Sequence, residues 1–175
     1  MYRNGKIYPI ADIGKGYLYM GPAPDLINAG KIWTDKLLNY EVNIVISMLK
    51  KDESEYLHLN GEAKLLETLG IAFKQFPITD LGCPDNEEGF AHFLKQLYKE
   101  IKEGKKLYVH CHAGIGRAGL VSCSLLALNG KPLDGIYDYL EQKRGLKSPQ
   151  TESQRKWFKV FAKQYLLNRE KLGTA

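Results

Sequence analysis

Apolar residues in this chain follow two rhythms. Short runs rich in β-branched, aromatic and aliphatic side chains occupy 16–20, 42–48 and 71–78, each bounded by Gly, Pro or charged residues, and a fourth lies at 106–110. These read as strands. Between them, 34–40 and 62–69 read as helices, the second stopped by Gly70. Phe90, Phe93, Leu94, Leu97, Tyr98 and Ile101 then recur at the three-and-four spacing of one buried helical face, which Gly104 closes. The segment 119–128 is apolar almost throughout and predicts a buried helix ending at Asn129-Gly130. Pro132 opens another towards Arg144, and a last helix from Thr151 carries Trp157, Phe158, Phe161, Tyr165 and Leu166 on its inner face. Strands alternate with helices first and helices dominate at the end. The pattern predicts a single α/β domain over 1–175, with a central, mostly parallel sheet of four to five strands flanked by helices.

Composition narrows the function classes. With 175 residues, 44% hydrophobic and 26% charged, the chain has the make-up of a folded globular protein. Its longest apolar run is far shorter than the ~20 residues a membrane span needs, and the first residues lack a signal-peptide core. A cytoplasmic location and no membrane span are expected. Cys83, Cys111 and Cys123 are three in number and irregularly spaced, which speaks against a disulfide framework or a zinc site. The net charge of +5 favours anionic partners. The lysines are scattered rather than gathered into an arm, so nucleic acid is not expected.

The chemistry concentrates at 106–119. A strand, Lys106-Leu107-Tyr108-Val109-His110, runs into Cys111-His112-Ala113-Gly114-Ile115-Gly116-Arg117, and a buried helix follows at once. A helix start leaves unpaired N–H groups and partial positive charge, which suits a phosphate dianion. Gly114 and Gly116 let the loop curl so that successive amides turn inward. Arg117 supplies a planar fork matched to two phosphate oxygens. Such surroundings favour the thiolate of a cysteine, so Cys111 is the candidate nucleophile. Two other readings of these residues fare worse. Gly114-Ile115-Gly116-Arg117-Ala118-Gly119 matches the dinucleotide fingerprint, but Asp134, the acid at the required distance, lies in a turn rather than at a strand end. His110, Cys111 and His112 are consecutive and lack a distant partner, so no metal site is expected.

His110-Cys111-x-x-Gly114-x-x-Arg117 resembles the signature of the protein tyrosine and dual-specificity phosphatases, and Phe76-Pro77-Ile78-Thr79-Asp80 stands about thirty residues upstream, as their acid loop does. The likeness extends over most of the chain, from about Gly16 to Leu167, and is greatest to the kinase-associated phosphatase branch. Ser148-Pro149-Gln150-Thr151-Glu152-Ser153-Gln154 resembles the glutamine loop that positions water in the tyrosine phosphatases. The resemblance implies Cys111 as nucleophile, Arg117 as phosphate ligand, Asp80 as general acid and Gln150, with Gln154 in support, as the group that orients water. His112, Ala113, Gly114, Ile115 and Gly116 then line the phosphate cradle, and His110 orders the loop. Asp80 as a mere turn cap, and Gln150 as a solvated helix-start residue, are the plain alternatives. No cofactor is implied.

The expected partner is a phosphoprotein or phosphopeptide, with phosphate or a similar oxyanion in the loop and the enzyme a monomer. An inositol-phosphate or phosphoinositide phosphatase keeps the same chemistry, although His112 and Ile115 stand where lipid-directed members carry lysines. A phosphate-binding pseudophosphatase is the third reading. Ala118 departs from the family pattern, since Ser or Thr usually follows the arginine there. The missing hydroxyl implies slower breakdown of a phosphoenzyme.

Overall fold

A computed structural model describes residues 5–168. Among the described residues five strands form one sheet: β1 (Tyr8–Ile13), β2 (Gly16–Pro22), β3 (Ile44–Ser47), β4 (Ala72–Gln75) and β5 (Lys106–Cys111). Their order is β1-β2-β5-β3-β4. Only the β1–β2 hairpin is antiparallel; β2, β5, β3 and β4 run parallel. The mostly parallel sheet expected from the alternation of elements is therefore present.

Alternation along the central strands sends side chains to two cores. Leu18 and Met20, Ile44 and Ile46, Leu107 and Val109 join one cluster, while the intervening Tyr19, Val45 and Tyr108 join the other. The first cluster is covered by α4 (Glu87–Lys102), α5 (Arg117–Leu128), α6 (Ile136–Arg144), α7 (Glu152–Phe161) and a π-helical turn at Ala162–Leu166. The second is closed by Trp33 and Leu37 of α1 (Gly30–Asn39) and Leu66 of α3 (Glu62–Thr68). A short helix, α2 (Lys51–Tyr56), follows β3.

The chain carries its own start signals for the long elements. Asn86 caps α4 by accepting from the Gly89 amide at 2.9 Å, with Glu87 and Glu88 in the first turn and Lys99 and Lys102 in the last. Thr151 and Gln154 form a capping box at the start of α7. Helix α5 differs from both: its residues from Arg117 to Ala127 are all buried, and its N-cap is Gly116, which has no side chain to cap with. A helix buried on every side belongs in a core, and its first-turn N–H groups need partners other than a capping side chain.

Two elements were not anticipated. β1 contains Pro9 and an irregular register between Pro9 and Ala11, which blurs its period, and α2 is too polar to show an apolar face. The helix expected from Pro132 begins later, at Ile136, because Gly135 bends the chain with φ of 84°.

Candidate active site

β5 is the middle strand of the five and parallel to both neighbours, and it ends at Cys111, beside Pro22 at the end of β2 and one residue beyond the Ser47–His110 pair at the end of β3. Parallel sheets bind ligands at this carboxyl edge. The loop from Cys111 to Arg117 leaves β5 there and enters α5. Gly114 adopts φ of 65°, and a Cβ on it would overlap the backbone of Gly21 and Pro22, so glycine is required on both counts.

The loop is held from outside by its carbonyls. The Ala23 amide donates to His112 O at 3.0 Å. Arg144 donates through Nε to Gly114 O at 2.7 Å and through a terminal nitrogen to Ala113 O at 2.9 Å. Ser148 Oγ donates to Ile115 O at 2.6 Å, and the Leu120 amide donates to Gly116 O at 3.0 Å. These bonds fix the outline of the loop from its outer side.

Arg117, only 1% exposed, stands where this loop enters α5. One terminal nitrogen donates to Glu53 Oε2 at 2.7 Å and to Ile78 O at 2.9 Å; the other donates to Glu53 Oε1 at 2.8 Å and to Asp80 Oδ1 at 2.9 Å. The paired geometry fixes the plane of the guanidinium. Among the described residues, its buried Nε has no partner. Burial works to raise the Glu53 carboxyl, but hydrogen bonds from Arg117 and the Lys50 amide, with the nearby charges of Arg117 and His112, outweigh it and hold the group below the usual carboxylate range.

Asp80 lies on the loop after β4 and is half exposed. Its Oδ1 accepts from the Leu81 amide at 3.0 Å as well as from Arg117, so it both forms a turn and reaches the site. Leu81 sits at φ of 60°, a conformation that this local bond favours. Gln150 is exposed, and its Cβ lies 3.4 Å from where a side chain on Gly116 would stand. Gln154 is fully buried and committed at both ends of its amide: Oε1 accepts from the Gln150 and Thr151 amides, each at 3.2 Å, and Nε2 donates to Gly82 O at 3.0 Å. It ties the acid loop to α7 instead of standing ready to orient water. That leaves Gln150 as the candidate for the water-orienting role.

His112 is exposed at the mouth, and its ring nitrogen lies within 4.8 Å of carboxylate oxygens of Glu53 and Asp80. Both Glu53 oxygens already serve the guanidinium, which makes the trio a poor cation site. All three cysteines are free thiols. Burial pushes the thiols of Cys83 and Cys123 up, for Cys83 with help from the Glu87 charge, which makes both poor nucleophiles.

The family model for the Swiss Army Knife protein DSP-PTPase phosphatase domain, PTP-SAK, matches residues 31–155. The chain belongs to this family. It is a phosphatase domain of the tyrosine and dual-specificity class. Cyclin-dependent kinase inhibitor 3 of Mus musculus is 28% identical to it over 145 residues, covering 80% of this chain and 68% of the relative. Putative tyrosine phosphatase 067L of Invertebrate iridescent virus 3 is 40% identical over a shorter stretch of 67 residues, 35% of this chain and 28% of the viral protein. The fold is that of kinase associated phosphatase, solved with serine replacing its catalytic-site cysteine: the TM-score is 0.81 at 20% identity, covering 91% of this chain and 95% of that one.

Several residues packed around the loop carry no signal in the sequence. Glu53 stands in the charged run Lys50-Lys51-Asp52-Glu53-Ser54-Glu55, where nothing distinguishes it from a solvated neighbour. Arg144 looks like an ordinary cation in the last turn of a helix. Ser148 lay in the recognised glutamine block, but its bond to the loop carbonyl is a tertiary contact. Among the described residues, no helix is long and apolar enough to cross a membrane.

Proposed function

We propose that the domain hydrolyses phosphate monoesters on proteins through a cysteinyl-phosphate formed at Cys111. The observation that carries this reading is the state of Arg117: its two terminal nitrogens are anchored, while among the described residues its buried Nε has no partner, beside a helix start whose N-cap is the glycine Gly116. A buried cationic N–H without an acceptor is costly, and a phosphate oxygen removes the cost.

In the first half-reaction the Cys111 thiolate attacks phosphorus in line with the ester oxygen. The S–P bond forms, the P–O bond breaks, and the leaving oxygen takes the proton carried by Asp80. The loop amides and Arg117 hold the charge gathered on the equatorial oxygens. In the second, Gln150 orients a water, Asp80 accepts its proton, and the S–P bond breaks to release phosphate and the thiolate. The Asp80–Arg117 contact lets one residue hand over to the other as phosphate arrives. The substrate is a phosphoprotein or phosphopeptide, and the protein acts as a monomer.

Hydrolysis of p-nitrophenyl phosphate by the wild type, abolished in Cys111→Ser, tests the chemistry. A panel of phosphotyrosine, phosphoserine and phosphothreonine peptides against inositol phosphates tests the substrate class. Turnover confined to the inositol phosphates would overturn the protein-directed reading. Phosphate binding without turnover of any of them would make the domain a pseudophosphatase.

A further inference from the structure

His110 precedes the proposed nucleophile, and its ring is fully buried. Nε2 lies 2.7 Å from Glu62 Oε1, and Nδ1 lies 3.4 Å from the carbonyl oxygen of Cys111. Glu62 looks from the sequence like a routine first-turn acid of α3, a residue type that belongs in water. Here it is only 2% exposed. A carboxylate so placed demands a partner, and the structure gives it the histidine next to Cys111.

The two oxygens facing the ring are a carbonyl and a carboxylate, both natural acceptors. A neutral imidazole has one N–H and satisfies one of them. The ring is thus held between the two: Nε2 against the Glu62 carboxyl at 2.7 Å and Nδ1 against the Cys111 carbonyl at 3.4 Å. Two polar neighbours are committed elsewhere. Tyr108, stacked on His110 at 6.0 Å, donates its hydroxyl to Pro22 O at 2.7 Å. Arg144, also within electrostatic reach of Tyr108, is committed to the loop carbonyls.

We propose that Glu62 is a positioning residue for catalysis: through His110 it fixes the carbonyl of Cys111, and so the place and reactivity of the sulfur. The proposal rests on the reading of Cys111 as nucleophile. It adds a group that touches neither substrate nor sulfur and lies 48 residues upstream of the histidine it orients.

The test compares Glu62→Ala and Glu62→Gln with the wild type. Two quantities are read: steady-state hydrolysis of p-nitrophenyl phosphate, and the pH dependence of Cys111 alkylation by iodoacetamide, followed site by site by mass spectrometry. Glu62→Ala is expected to lose about tenfold in kcat with KM within about twofold, and to move the alkylation midpoint up by about half a pH unit or more. Glu62→Gln can offer an amide N–H to Nε2 and is expected to restore most of kcat. A folded Glu62→Ala whose kcat and alkylation profile superimpose on the wild type overturns the proposal, as does one that only lowers Tm. If Glu62→Ala does not fold, Glu62→Asp, whose oxygen is drawn back by about 1.5 Å, decides by the same alkylation profile: displaced supports the proposal, superimposed overturns it. A wild type whose Cys111 resists alkylation and which lacks phosphatase activity sinks the nucleophile reading itself, a separate result.

Discussion

Arg117 and Glu53 meet as two planar groups joined by paired hydrogen bonds of 2.7 and 2.8 Å, across 64 residues of sequence. One side is buried and the other mostly so. The pair fixes the plane of the guanidinium, and with it the angle at which the proposed phosphate would be met. Glu53→Gln keeps one acceptor and removes the charge, so kcat/KM is expected to fall roughly thirtyfold, equivalent to about 2 kcal/mol. Glu53→Ala strands a buried cation and is expected to destabilise the fold by about 3 kcal/mol as well. Steady-state kinetics and thermal melts on both variants check this.

The same pair makes a pH prediction. The Glu53 carboxyl is held below its ordinary value of 4.5 in the folded protein. The unfolded chain therefore binds the proton more readily, and folding gains stability that is fully present above about pH 4.5 and disappears as pH falls through the lower, folded value. Urea melts across pH 3 to 6 are expected to show a shallower acid-side loss for Glu53→Gln than for the wild type. Parallel curves would show that the pair adds no pH-dependent stability.

Asp80 is expected to matter for chemistry and little for folding, because it is half exposed. Asp80→Ala should lower kcat by about 10² to 10⁴ while leaving Tm within about 1 °C. A smaller loss with phenyl phosphates bearing good leaving groups than with phosphotyrosine peptides would identify its proton as the missing element.

Arg144 holds two loop carbonyls and lies 3.9 Å over the Tyr8 ring. Arg144→Ala orphans both oxygens and is expected to cost about 2 kcal/mol, a Tm drop of about 4–8 °C. Weaker competitive inhibition by inorganic phosphate should accompany it, since the cradle loosens. Unaltered phosphate inhibition would show that the loop keeps its shape without the arginine.

Ala118 is fully buried one residue after Arg117. If a hydroxyl there assists departure of the thiolate, Ala118→Ser raises steady-state turnover and diminishes a pre-steady-state burst. Stopped-flow traces with p-nitrophenyl phosphate measure both; unchanged traces mean the hydroxyl is immaterial in this domain.

What sequence made visible was local. The strand ending at Cys111, the glycines after it and the apolar helix from Arg117 are consecutive, and periodicity with a phosphate-loop pattern suffices to place them. Asp80 stands out because Phe76-Pro77-Ile78-Thr79-Asp80 resembles the acid loop of the phosphatases, and the structure brings its carboxylate to Arg117. The residues that shape the loop from behind, Glu53, Arg144 and Glu62, act across long sequence separations, and each looks like a surface charge until the sheet brings it inward. Gln154 was legible as functional, yet its amide proves to be spent on the acid loop and the start of α7, a distinction only packing reveals. β1 and α2 stayed hidden because a proline-interrupted edge strand and a polar single-turn-and-a-half helix have no period to read.

The backbone bond from Ala23 to His112 gives the site a requirement that its compact motif conceals. The family-matched span starts at residue 31, after β2 has already passed. A fragment trimmed to that span would retain every proposed catalytic side chain and still lose the neighbouring strand against which Gly114 packs. Excision at residue 31 would bare an edge of β5 and unfasten the loop at one end. Anyone cutting this domain for crystallisation or screening should therefore keep the first hairpin.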